Sequence, residues 1–317
     1  MQRSGQKFFA SFFQKRSAFL AFLLVTCPAA AAAECLMNRV ADLPITLFQD
    51  KLFIPVSIDG TERQFFIDTG AGITTISADL AAALSLPRDF DHTTDAFGVG
   101  GMESHLYIAH TQKVDIGGQS FANMAFPTAA FAEHLADGST PGGLIGADLL
   151  SRFDLDIDIP HRRLGLWRVA GCTDIKPDWP GDSSAADLSI QPSRHASVPV
   201  RLDGTTMDLL LDTGSPGLVV STRAAARAGV TPDVLEESRE LQGHGVNNRA
   251  FTAWLHIFQR LEVAGQVFGD ARAVIVSNGR MQSGDGLLGV AFLKRGRVWV
   301  SYATGKLFVE KTGTAAN

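Results

Sequence analysis

Cysteine and tyrosine are scarce, and positive charge is outnumbered: the 317 residues hold three Cys, two Tyr, and 28 Lys+Arg against 33 Asp+Glu, a formal net charge of −5. Three cysteines leave room for at most one intramolecular disulfide. With no basic excess there is no stripe to neutralise phosphates, which excludes a nucleic-acid partner. The eight histidines show no His-Glu-x-x-His or similar ligand spacing, and the chain has no P-loop, dinucleotide fingerprint or Ser-centred elbow. No metal and no cofactor are expected. A composition 45% hydrophobic and only 19% charged excludes a disordered chain and is enough for a substantial core.

Residues 1–33 differ from the rest. Arg3, Lys7, Lys15 and Arg16 precede an apolar run from Ala18 to Val25, followed by Pro28 and five alanines. This is the pattern of a secretory signal peptide cleaved after Ala33. The apolar run is about half the roughly 20 residues a spanning helix requires, so no stable membrane span is expected after cleavage. An uncleaved anchor, or lipidation of Cys27, is the alternative; Thr26 stands where a lipoprotein signal has a smaller residue. Cleavage removes four basic and no acidic residues, leaving 24 Lys+Arg against 33 Asp+Glu and a net charge near −9. A secreted or periplasmic protein is expected. Cys35 and Cys172 remain, either as one disulfide, which an exported chain favours, or as two thiols.

The mature sequence repeats itself. Residues 54–70, IPVSIDGTERQFFIDTG, align with 198–214, VPVRLDGTTMDLLLDTG, at an offset of 144 with eight identities. Ser77 and Ser221 then each precede an alanine-rich stretch suited to a short Ser-capped helix. Further on, the Gly-Leu-Ile-Gly beginning at Gly143 is echoed by the Gly-Leu-Leu-Gly beginning at Gly286, at an offset of 143. Each half ends in alternating apolar strands joined by a tight turn, at Pro160-His161 and at Thr304-Gly305. The reading is a signal peptide over 1–33, an N-terminal lobe over 34–169, a Pro/Asp/Ser-rich linker over 170–187 and a C-terminal lobe over 188–317. Short alternating runs between Gly, Asp and Asn punctuation make the architecture mainly β, with helical periodicity confined to short stretches.

Each lobe sets an Asp-Thr-Gly at the end of an apolar strand: Phe65-Phe66-Ile67 leads to Asp68-Thr69-Gly70, and Leu209-Leu210-Leu211 to Asp212-Thr213-Gly214. One copy is a weak signal, since Asp and Gly are favoured turn residues. Two copies at equivalent points of a duplicated frame are a strong one. The paired motif, followed in each half by an apolar-apolar-Gly element, resembles the aspartic proteases: the single lobes are similar to the retropepsin-like type, and their fusion is similar to the pepsin arrangement.

That resemblance implies two homologous β-barrel lobes of the acid-protease type related by a pseudo-two-fold axis, with a few short helices. Asp68 and Asp212 would meet at the cleft floor, share a proton and activate a water against a peptide bond. Thr69 and Thr213 would cross-bond beneath the pair. Gly70 and Gly214 would allow close backbone approach and turn geometry. Ala71 is retropepsin-like, and Ser215 would offer its hydroxyl to Asp212, while Pro216 removes a backbone N–H nearby. Phe97-Gly98-Val99-Gly100-Gly101 and Gly243-His244-Gly245 fall where flap hairpins would cover a bound peptide, or are ordinary glycine turns. Neither Tyr107 nor Tyr302 stands at a flap tip. Asp154, Asp156 and Asp158 alternate along one strand and read as a solvated face opposite Arg162 and Arg163. An exported, monomeric endopeptidase acting on peptide or protein substrate is expected; the alternative is a non-catalytic module that binds peptide or envelope polymer in the same cleft.

Overall fold

The computed structural model describes residues 34–98, 101–131, 134–244, 250–277 and 284–311; the signal read over 1–33 lies outside them. The first half runs β1 (Leu36–Pro44), β2 (Thr46–Phe48), β3 (Lys51–Ile58), β4 (Thr61–Ile67), β5 (Thr75–Ser77), α1 (Ala78–Ala83), β6 (Arg88–Gly98), β7 (Gly101–Ile116), β8 (Gln119–Ala129), β9 (Gly143–Ile145), α2 (Ala147–Leu150), β10 (Asp154–Asp158) and β11 (Arg163–Ala170). The second runs β12 (Ser183–Asp187), β13 (Ser189–Ile190), β14 (Ala196–Leu202), β15 (Thr205–Leu211), β16 (Leu218–Ser221), α3 (Thr222–Arg227), α4 (Pro232–Glu236), β17 (Arg239–His244), β18 (Ala250–Val263), β19 (Gln266–Val276), β20 (Gly286–Leu288), α5 (Val290–Leu293), β21 (Arg297–Ser301) and β22 (Lys306–Glu310).

Each half closes six strands into a barrel. In the first, β3-β4-β9-β5-β8-β7 are neighbours in that order and β7 returns to β3; in the second, β14-β15-β20-β16-β19-β18 close through β18 and β14. The repeated Asp-Gly dipeptides explain part of this. Asp59-Gly60 and Asp203-Gly204 turn β3 into β4 and β14 into β15, with φ of 48° and 87° in one and 44° and 85° in the other, the left-handed pair a two-residue hairpin demands. Their carboxylates then clip the closing strand, Asp59 accepting from Gln112 N at 2.9 Å and Lys113 N at 2.6 Å, Asp203 from Arg260 N at 2.8 Å. Ser77 and Ser221 cap α1 and α3, accepting from the backbone N–H groups of Leu80 and Ala224.

A third sheet joins the lobes in the order β1-β11-β10-β21-β22-β12. The order is the same from either end, with the approximate two-fold between β10 and β21, where Asp156 faces Trp299. β12 thus does for the second lobe what β1 does for the first, each pairing with its lobe's last strand. The stretch read as a linker over 170–187 therefore ends in a strand of the second repeat, and its middle is anchored by buried Ile175 and Trp179.

That anchoring overturns the solvated reading of Asp154, Asp156 and Asp158, which are 2%, 2% and 7% exposed. Alternation does put Leu155 and Ile157 on the opposite face, in the main core. The strand, however, is internal to the joined sheet, and its acidic face lies under a small apolar cluster of Ile175, Trp179, Trp299 and Phe308. Arg297 from the other lobe, not Arg162 or Arg163, meets the acids: its Nε and Nη2 bond the two oxygens of Asp156 at 2.7 and 2.6 Å. Arg163 pairs with Asp42 instead. Asp154 accepts from Trp299 Nε1 at 3.2 Å and Ala303 N at 3.0 Å, and burial raises its pKa against these bonds.

Cys35 and Cys172 form a disulfide across 137 residues, tying the start of β1 to the end of β11. Reducing it, or replacing both cysteines by serine, is expected to lower stability by roughly 2–5 kcal/mol, read as a fall in denaturant midpoint. Among the described residues no helix is long and apolar enough to cross a membrane.

Candidate active site

β4 and β15 are apolar to their last residues because each is flanked inside its barrel: Phe65, Ile67, Leu209 and Leu211 are buried. The chain leaves each strand at an aspartate whose backbone N–H is still held by the neighbouring parallel strand, Asp68 N donating to Ile145 O at 2.9 Å and Asp212 N to Leu288 O at 3.1 Å. This is the structural role of the repeated apolar-apolar-Gly element. It places both carboxyls at the point where the two barrels meet.

Each carboxylate is then fixed by its own loop. Asp68 Oδ1 accepts from Gly70 N at 2.9 Å and Ala71 N at 3.0 Å; Asp212 Oδ1 accepts from Gly214 N at 2.8 Å and Ser215 N at 3.2 Å. Ser215 acts through its backbone only, since its hydroxyl donates to Gly217 O at 3.1 Å, so the expected hydroxyl bond to Asp212 is not formed. The tight loop has already supplied the N–H donors, leaving that oxygen no need of it.

Below the carboxyls the threonines cross. Thr69 N donates to Thr213 Oγ1 at 3.0 Å and Thr69 Oγ1 to Leu211 O at 2.7 Å; Thr213 N donates to Thr69 Oγ1 at 3.1 Å and Thr213 Oγ1 to Ile67 O at 2.7 Å. Four bonds between two loops, all buried, lock the lobes in register. Replacing Thr213 by Val leaves Thr69 N and Ile67 O without partners, and each buried unpaired group costs about 1–3 kcal/mol. We expect Thr213→Val to lose about 2–4 kcal/mol by the same reasoning, measured by chemical denaturation; a change below that of an exposed Thr→Val control would contradict the role.

The glycines are required by space. A Cβ on Gly70 would lie under 3.0 Å from the Asp212 carboxyl, and one on Gly214 equally close to that of Asp68. Neither glycine has a positive φ, so close approach, and not turn geometry, explains them. The same contact shows how near each carboxyl lies to the opposite loop.

The two carboxyls lie close enough to interact directly. Burial pushes Asp212 well up, and the neighbouring Asp68 charge adds to it. Burial also raises Asp68, but the hydrogen bond from Asp212 and those from Gly70 and Ala71 oppose the rise. Both carboxyls are therefore held above the ordinary range, Asp212 the further, as expected of two buried acids that cannot both ionise cheaply. Because Asp212 is raised in the folded state, its contribution to stability is greatest below its unfolded value near 3.8 and is lost as pH rises through the folded pKa. Asp212→Asn is therefore expected to unfold at a higher temperature than the parent at neutral pH, the difference shrinking on acidification; a parent more stable at neutral pH would contradict the assignment.

Two further residues support the site, and neither belongs to a sequence motif. Asp148 in α2 accepts from Thr74 N at 2.9 Å and Thr74 Oγ1 at 2.7 Å, and Thr74 Oγ1 in turn accepts from Gly146 N at 3.0 Å, bracing the first motif's loop. Ala291 stands at the corresponding place in the second lobe, and that asymmetry was the available signal. His195, just before β14, lies beside the first motif's loop from the second lobe: a Cβ on Gly72 would stand 3.5 Å from its Nε2.

The proposed flaps are hairpins in both lobes. Gly98 pairs with Gly101, and Phe97 with Met102, at the turn end of β6–β7; Val99 and Gly100 lie outside the described residues. Gly243 pairs with Phe251 and His244 with Ala250 at the equivalent end of β17–β18, with Gly245 outside them. Tyr107 lies within β7, opposite Thr93. Among the described residues no group of three or more His, Cys, Asp or Glu could hold a metal ion.

A family model described as aspartyl protease matches residues 54–149 and again 198–292, one match in each repeat. The structure is similar to the crystal structure of the aspartic proteinase from Irpex lacteus, with a TM-score of 0.52 and 14% identity over 88% of this chain and 99% of that one. At that identity the likeness is one of fold. No curated protein matches the sequence.

Proposed function

The chain belongs to the aspartyl protease family, and from that premise we propose that it is an exported endopeptidase that hydrolyses peptide bonds with a water activated between Asp68 and Asp212. The observation that carries this is the meeting of two buried carboxyls, each packed against the other's loop glycine and both raised by burial, Asp212 the further. Ionised Asp68 takes a proton from the water as it attacks, while Asp212 donates its own to the scissile carbonyl oxygen. A tetrahedral diol forms without a covalent enzyme intermediate. Collapse returns a proton to the leaving amine, and the pair regains its starting state.

An extended peptide would lie between the floor loops and the strand pairs β6–β7 and β17–β18, pairing as an added strand. One chain supplies both carboxyls, so a monomer suffices. Export is supported by the leader pattern over 1–33 and by the Cys35–Cys172 disulfide, a bond that belongs to oxidising compartments.

The test is cleavage of unfolded protein and of a peptide library by the mature chain from acid to neutral pH, with and without pepstatin. Pepstatin-sensitive turnover is expected. Binding of peptide without turnover at any pH would replace the enzyme with a binding module on the same fold.

A further inference from the structure

His195, in the second lobe, has surroundings that belong to the motif of the first. It ends a tight turn in which Arg194 N donates to Gln191 O and Gln191 N donates to His195 O, both at 2.8 Å. Its Nδ1 lies 3.2 Å from Ser193 Oγ, which fixes the ring. Its Nε2 is buried, makes no well-formed hydrogen bond, and lies 3.5 Å from where a Cβ on Gly72 would stand. A buried ring nitrogen whose one neighbouring acceptor, the Gly70 carbonyl, makes no well-formed bond to it is costly. Gly72 follows Asp68 by four residues, in the loop that holds that carboxylate.

We propose that His195 is a positioning residue for the first aspartate: an imidazole supplied by the second lobe that seats the Asp68 loop and sets the charge beside it. From the facing loop come the Asp68 carboxylate and the Gly70 carbonyl, both of which favour the protonated ring, against burial, which lowers its pKa and is the larger effect. Its own turn offers the Ser193 hydroxyl and the exposed Arg194. Asp68 in return is eased toward its ionised form by His195.

The repeat sharpens the point. Lys51 occupies the corresponding place in the first lobe, with its ammonium 5.3 Å from the centroid of Phe66. Of the two residue types, only histidine has an ordinary pKa near neutral pH. The two lobes thus present unlike basic side chains at like positions, and the imidazole of the second lobe lies beside the loop of Asp68.

Coupling of this kind is reciprocal, which provides a test free of catalysis. In the full mature chain, the His195 imidazole is titrated by NMR in the parent and in Asp68→Asn. The midpoint is expected to fall by roughly half a pH unit or more in the variant, the size of effect a nearby opposite charge exerts. A midpoint that does not move overturns the proposal, and no activity is needed to read it.

The kinetic arm rests on the proteolytic reading above. His195→Gln is expected to move the acid limb of the kcat/KM profile upward by a similar amount, while His195→Lys restores it. A merely structural role would lower activity equally at every pH, and that result also overturns the proposal. Absence of cleavage by the parent would sink the proposed function while the NMR arm still decides this one.

Discussion

Asp68→Asn is expected to abolish peptide cleavage while the protein stays folded. The amide can still accept the loop N–H bonds at Oδ1 that Gly70 and Ala71 make to the carboxylate, so the geometry is retained, but it cannot take a proton from water. General acid–base assistance contributes about 10²–10⁴-fold, and in the proposed mechanism one carboxylate serves as the base while its partner serves as the acid. Asp212→Asn should fall as far, because the acid is then missing. The double variant should be scarcely worse than either single one, since groups that act as a unit are not additive. Retained cleavage by the double variant would remove the pair from the chemistry. Loss of activity with loss of cooperative unfolding would show only that the loops are structural, which is why thermal melts accompany the assay.

Arg297→Leu is expected to be among the most destabilising single changes away from the cleft. The Asp156 carboxylate is 2% exposed and takes both its charge-assisted bonds from this one guanidinium, across the boundary between lobes. Arg297 also stacks over Trp179, 5.1 Å from its centroid, and lies 3.9 Å from Asp158. Removing it strands a buried charge, which costs about 3–5 kcal/mol. The matched pair Asp156→Leu with Arg297→Leu should recover much of that loss, because the uncompensated charge goes with its partner. Denaturant midpoints of the two variants check both statements. A single variant no weaker than the double would mean that Asp156 finds other support.

The duplication, the two Asp-Thr-Gly loops and the Ser-capped helices were legible because each is a local pattern with a local cause. An Asp-Gly that needs left-handed φ reads the same wherever it occurs, and so does a strand that stays apolar to its last residue. The sheet joining the lobes was not legible, and the errors cluster there. Asp154, Asp156 and Asp158 alternate as a wet edge would, and nothing near them in sequence reveals that β21 arrives 143 residues later bringing Arg297 and Trp299. The Pro/Asp/Ser-rich stretch after Ala170 has the composition of a linker, yet Trp179 and the pairing of β12 with β22 bind it to the core. Asp148 and His195 were overlooked for a related reason: both support the first loop from elsewhere in the chain, and each breaks the internal symmetry, at Ala291 and Lys51. Where two halves of a duplicated frame differ in a charged residue, that difference was the clue.

The central claim is that the two motif carboxyls share one proton, and carboxyl-carbon NMR of labelled aspartates across pH tests it most directly. Asp68 and Asp212 are expected to titrate in two linked steps, with Asp212 keeping its proton well above the ordinary carboxylate range and losing that behaviour in Asp68→Asn. Two independent titrations, both near the value of an exposed aspartate, would contradict it.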